Sequence, residues 1–263
     1  MELRVLKASL LAGASSILMA VAASPASAQP VGQTGPLNGL YGGLQIGHHS
    51  FGQNTWNRLS AESNEFPFSS ASLDMWTDVS LRGVGGGPFV GYGRRYGNWW
   101  LAGEAEFNFS GATGNNNLSA TVFQEFSGTT TADVNTRIRA RESFGLSALA
   151  GYMPMPGTTL FTRVGWQYGR FHVKSSIEFE GESVGIIDQG KWASGFRWGV
   201  GANVNLGPIG IGRGAALRLE WNHTSYEKLE FSRRFVEGKN SFEQRDDFAP
   251  RESLFRVGLA IGY

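Results

Sequence analysis

The sequence predicts an all-β fold, an eight-stranded antiparallel up-and-down transmembrane β-barrel. Three observations carry that expectation: a two-residue alternation of apolar and polar side chains, connections that are short and long by turns, and an export leader at the start. Successive residues of a strand point to opposite faces, so a period of two marks a strand with one oily face.

The leader comes first. "MELRVLKASLLAGASSILMAVAASPASAQP" sets Arg4 and Lys7 before an apolar stretch from Ala8 to Ala23, then Ala26-Ser27-Ala28. That basic, apolar, small-residue order is a secretory signal, with cleavage expected after Ala28. Residues 1–28 are therefore set apart as a signal peptide, 29–37 as a short flexible lead holding Pro30, Gly32, Gly35 and Pro36, and 38–263 as the barrel. Losing Glu2, Arg4 and Lys7 takes the basic count from 23 to 21 and the acidic count from 22 to 21. A formally neutral mature chain gives no electrostatic reason to bind nucleic acid. With no cysteine in 263 residues, an exported chain cannot be a disulfide scaffold. After the leader no segment approaches the ~20 apolar residues of a spanning helix, so any membrane crossing is made by strands.

Eight alternating segments follow, at about 39–50, 80–95, 99–111, 137–153, 160–178, 191–206, 215–231 and 251–263. In the second, Pro88 interrupts "VGGGPFVGY"; it removes a ladder donor and predicts a local bulge. In the third, Trp99, Leu101, Ala105, Phe107 and Phe109 oppose Glu104, Glu106 and Asn108. The sixth sets Phe196, Trp198, Val200, Ala202 and Val204 against Arg197, Gly199, Gly201, Asn203 and Asn205. The seventh sets Leu217, Leu219 and Trp221 against Arg218, Glu220, Asn222 and Thr224. A soluble sandwich also alternates. Here the polar faces are crowded with Gly, Ser and Asn, and the apolar faces carry aromatics near both ends, which suits a narrow polar inside and an oily outside. The eighth segment is still alternating at Tyr263, as a closing strand must, because an open edge in lipid leaves unpaired backbone groups.

Short connections lie at 96–98, 154–158 and 207–214, and long ones at about 51–79, 112–136, 179–190 and 232–250. Bacterial outer-membrane barrels make short turns on the periplasmic side, so both termini are expected there. The run from Gly114 to Thr136, polar and turn-rich, is expected as a mobile surface loop.

Eight strands enclose only enough space for their own side chains, so the lumen is expected to be filled. Parity sends Glu104, Glu106, Arg141, Arg163, Arg197, Arg218, Glu220 and Arg256 inward. A connected guanidinium and carboxylate network follows, since a buried charge left unpaired is costly and Arg can bind two carboxylates at once. Five arginines meet three glutamates, so two positive charges are expected near the strand ends. The network acts as a plug or, on a second reading, as a gated ion path.

"FVGYGRRYGNWWLAGEAEFNFSG" resembles the second hairpin of the small outer-membrane barrels of alphaproteobacteria. "LAGYMPMPGTTLFTRVGWQYGRF" looks like the central hairpin of the OmpA-like transmembrane domain, and "LRLEWNHTSYEKLEF" is similar to the seventh strand of that group, with His223 where tyrosine is more usual. The likeness covers essentially the whole mature chain. It implies an inward pair between Glu104 and Arg163. It also implies a C-terminal assembly signal in Arg256, Gly258, Ile261 and Tyr263, where the family more often ends in phenylalanine.

Other constellations are weaker. His223 and Ser225 share a face and, with Glu237 or Glu252, resemble the site of the outer-membrane lipid A deacylases, although "YEKLEF" lacks the Asn-Ala-Gly of that family. A hydrolase also needs oxyanion donors, which the sequence does not show. His48, His49, His172 and His223 make no metal motif. "GIGRGA", residues 210–215, lacks the following helix of a dinucleotide site. No catalytic residue, cofactor or metal is therefore expected. The expected role is structural or surface-interactive, in a monomer whose partners are outer-membrane lipid and lipopolysaccharide, the barrel-assembly machinery and a surface ligand held by the loops. The alternatives are a small porin and a lipid A deacylase using His223 and Ser225.

Overall fold

A computed structural model describes residues 37–63, 69–124, 128–179, 182–207, 214–237 and 240–263. The leader, its cleavage residues Ala26 and Ala28, and most of the lead fall outside them. Eleven strands occur among the described residues: β1 (Gly39–Ser63), β2 (Ser69–Tyr96), β3 (Trp99–Ser110), β4 (Thr113–Gln124), β5 (Gly128–Met155), β6 (Thr158–Phe179), β7 (Glu182–Asn205), β8 (Ala215–Tyr226), β9 (Leu229–Glu237), β10 (Asn240–Phe248) and β11 (Arg251–Gly262). Antiparallel pairings run β1–β2–β3–β5–β6–β7–β8–β11 and return to β1, which closes an eight-stave barrel. β4, β9 and β10 continue the staves of β3, β8 and β11 beyond short breaks.

The closing seam is continuous, from Tyr41 opposite Gly262 to Gly52 opposite Arg251. Tyr263 stands one residue past the end of β11 rather than inside it. Two-residue turns join β2 to β3 and β5 to β6, and each needs a glycine with positive φ, 63° at Gly97 and 84° at Gly157. Leu37, assigned by sequence to the flexible lead, is buried, and its carbonyl accepts a hydrogen bond from Trp100 Nε1 at 3.0 Å.

The long connections are corrected. Most of 51–79, 112–136, 179–190 and 232–250 is strand, and the expected mobile loop from Gly114 to Thr136 is the β4–β5 hairpin, paired from Thr113–Arg139 to Gln124–Gly128. These extensions stand outside lipid, so their outer face is polar, and the oily half of the alternation turns inward at residues such as Val79, Val134 and Ile138. Thr-rich and Val-containing runs such as Thr129–Thr131 and Val134 still favour extended backbone. Among the described residues of this upper wall, β2 meets β4 only at Arg82–Thr113, and β9 pairs with β10 and not with β7. Two four-stranded sheets result, β9–β10–β1–β2 and β4–β5–β6–β7.

The bulge expected at Pro88 is also corrected. β1 and β2 stay in register through Leu44–Pro88, and β2 and β3 keep one register on either side of the proline. Only the bridges at Gly87 and Pro88 are missing, because the absent N–H faces β3. A bulge occurs instead on β5, between Ala140 and Ser143, where two residues oppose Arg170 alone.

Outward residues form a lipid-facing band that includes Leu44, Ile46, Leu101, Leu146, Val164 and Val200. Aromatics rim it: Tyr92, Trp99 and Tyr152 near the short turns, and Phe109, Phe144, Trp166 and Trp198 at the other side. The ten steps from Trp99 to Phe109, at strand rise and barrel tilt, span about 26 Å, the height of an outer-membrane barrel's apolar belt.

Candidate functional site

The lumen is stacked in three layers. Nearest the short turns, Leu37, Tyr41, Phe89, Trp100, Leu149 and Phe161 form an apolar floor with Ala216 and Ala260. On the far side a second apolar cluster, including Phe51, Ile138, Phe171, Phe231 and Phe248, closes the mouth. Between them lies a layer of charge. Arg163, Arg197, Arg218 and Arg256 are each at most 2% exposed and face Glu104, Glu106 and Glu220.

Alternation places these groups. On β3 the even residues face in, so Glu104 and Glu106 project from adjacent inward positions. Glu104 accepts from Arg163 Nη2, from Arg218 Nη1 at 2.7 Å and from the Tyr41 hydroxyl at 3.1 Å. Glu106 accepts from Arg163 Nη1 at 2.7 Å, from Arg256 Nη2 at 2.8 Å, from Arg197 Nη1, and from Asn108 Nδ2 at 2.8 Å. Glu220 takes Arg163 Nε at 2.6 Å and Arg256 Nη2 at 3.2 Å. Arg197 also donates to Gln167. Arg218 ties this layer to the floor, its guanidinium 4.4 Å from the Phe89 ring centroid and 5.3 Å from that of Phe161.

Arg141 is the exception among the eight residues assigned inward. It is exposed, because the β5 bulge inserts one residue and resets the parity. Ile138 and Ala140 face in above the bulge, and Ser143 and Ser147 below it. Counting straight through the bulge places Arg141 with Ser143.

A carboxylate and a histidine join the lumen in its place. Glu252 is buried, with Oε1 at 2.6 Å from His49 Nδ1 and Oε2 accepting the Tyr226 hydroxyl at 3.0 Å. Four arginines then meet four glutamates, with His49 beside the fourth. The signal was present: Glu252 is four residues from Arg256, and His49 four from Gln45, so each shares an inward face.

Glu252 therefore cannot serve the outward His223. Ser225 Oγ lies 3.4 Å from His223 Nε2, and His223 Nδ1 lies 3.5 Å from Ser253 Oγ, a serine where a triad needs an acid. The side chain of Glu237 lies outside the described residues. In the C-terminal segment Arg256 and Gly258 face the lumen, while Ile261 and Tyr263 are exposed.

A family model described as "Outer membrane protein beta-barrel domain" matches residues 14–260. No curated protein matches the chain. Among solved structures the chain is similar to the attachment invasion locus protein Ail of Yersinia pestis, at 10% identity over 82% of this chain and 99% of that one, with a TM-score of 0.28. It is also similar to Neisserial surface protein A, at 11% identity over 81% and 97%, TM-score 0.34. OprG from Pseudomonas aeruginosa gives 12% identity over 88% and 99%, TM-score 0.42. The family assignment rests on the domain match, which spans nearly the whole sequence: the chain belongs to the outer membrane protein beta-barrel domain family and is a protein of the bacterial outer membrane.

Proposed function

We propose that this protein is a sealed barrel that braces the outer membrane and presents its tall hairpins outside the cell, without catalysing a reaction. The three-layer filling of the lumen carries the reading. A permeant ion would have to displace aromatic clusters at both ends and break a network of paired charges in between. An export leader over residues 1–28 and recognition of the Arg256–Tyr263 segment by the assembly machinery belong to the same proposal.

Reconstitution in planar bilayers tests it. The expected result is no unitary conductance from protein whose compact, unboiled gel band shows a folded barrel, whereas stable channels would replace the reading by a small porin. That second reading draws on lumen polar atoms without a hydrogen-bond partner among the described residues, including Gln45 Oε1, Asn203 Nδ2 and both amide atoms of Asn222, which are groups able to solvate a path. A deacylase would shorten lipid A in a way that Ser225→Ala abolishes; the expected outcome is an unchanged acyl pattern with either chain.

A further inference from the structure

Above the aromatic rim, the outer wall of β5 and β6 carries a dense array of cations. Phe144, Tyr168 and Trp192 mark the rim, with ring centroids 5.4 Å apart for Phe144–Tyr168 and 5.1 Å for the stacked Tyr168–Trp192 pair. The bulge turns Arg141 away from the lumen, and Arg139 and Arg137 follow it on the same face. β6 answers with Arg170, His172 and Lys174, and the register sets Arg139 opposite His172 and Arg137 opposite Lys174. Like charges directly opposite one another destabilise a ladder, so the Arg137–Lys174 pair, with Arg139 and Arg141 beside it, favours nearby anions.

The chain supplies few of them. Glu142 pairs with Arg170 at 2.8 Å, and Asp188, opposite Lys174 in the β6–β7 register, turns to His172 at 2.8 Å. Among the described residues no carboxylate forms an ion pair with Arg137, Arg139, Arg141 or Lys174. Arg137, Arg141 and Lys174 are exposed. Higher up, the patch stops where Asp133 stands opposite Glu178.

We infer that this wall binds the phosphorylated headgroup of an outer-leaflet glycolipid, the lipopolysaccharide of the surrounding membrane. Position selects that ligand. The cations project sideways from the wall, directly above the residues that touch acyl chains, at the depth of lipid phosphates and not at the crests of the hairpins. From Arg137 to Arg141 the strand advances about 14 Å, enough for a headgroup with phosphates at both ends. Guanidinium forks bind phosphate bidentately, and basic residues beside a bilayer draw anionic lipid. The inference rests on the barrel standing in the outer membrane and not on a closed lumen, so a conducting barrel leaves it intact.

The test uses the full barrel refolded in detergent, with its compact gel band as the folding control, and native mass spectrometry with diphosphorylated and dephosphorylated lipid A. The expected result is at least tenfold weaker binding of the diphosphorylated form to an Arg137→Ala, Arg141→Ala, Lys174→Ala variant. A control removing the exposed Arg82, Arg94 and Arg251 should change binding less than twofold. Equal binding by wild type and patch variant overturns the inference. So does tight binding of soluble sucrose octasulfate at these residues with no binding of lipid A. Should the triple variant not fold, the unmodified barrel still decides: indifference to the lipid phosphates overturns the inference, and a clear preference for them supports it.

Discussion

Glu106 is the most heavily shared group in the lumen, since Arg163, Arg197 and Arg256 reach it from three different strands. Truncating one partner of a buried ionic network strands the others, at a cost of about 3–5 kcal/mol. Glu106→Ala should therefore lower the denaturant midpoint of the folded barrel by that order. Arg170→Ala, which removes an exposed pair with Glu142, should cost under about 1 kcal/mol. Similar losses at both positions would contradict a network held by mutual neutralisation. Seven of the eight lumen charges were legible in the sequence because strict alternation survives on β3, β6, β7, β8 and β11. Arg141 was not, since a bulge leaves no mark in composition. Glu252 was legible in principle, four residues from Arg256, but it was weighed as the acid beside the outward His223 and Ser225.

At the scale of the strand, the β5 bulge separates two regimes of one stave. Both flanks already present the correct face, so deleting Arg141 should regularise the ladder and leave a barrel that refolds to its compact, unboiled form. Deleting Leu146, which lies in unbroken ladder opposite Trp166, moves a run of inward side chains to the lipid face and should abolish refolding. If both deletions refold equally well, register is not what fixes this stave. The eight staves were readable where lipid demands a greasy face. Their extensions were not, because above the lipid the outer face turns polar and the buried inner face mixes small polar residues such as Thr136 and Ser175 with apolar ones. Pro88 misled for a related reason: a missing donor predicts disorder in the ladder, yet closure of the barrel holds the register on either side of it.

For the whole molecule, the two apolar clusters make closure redundant. Exchanging charge in the middle layer alone should not open a path: Glu106→Ala with Arg163→Ala is expected to give no conductance in planar bilayers. A current should arise only when Phe51, Phe171 and Phe248 above and Trp100 and Phe161 below are also cut to alanine. A channel from the charge variant alone would show that the aromatic layers leak.

The upper wall has its own logic. Where β2 parts from β4, and β9 from β7, the tower divides into two petals that among the described residues share almost no backbone hydrogen bonds, while the cylinder beneath is laced all the way round. A change at the crest of one petal thus leaves the other's backbone ladder whole, whereas a change at their base meets the aromatic cluster of Phe51, Phe171 and Phe248 that both petals share.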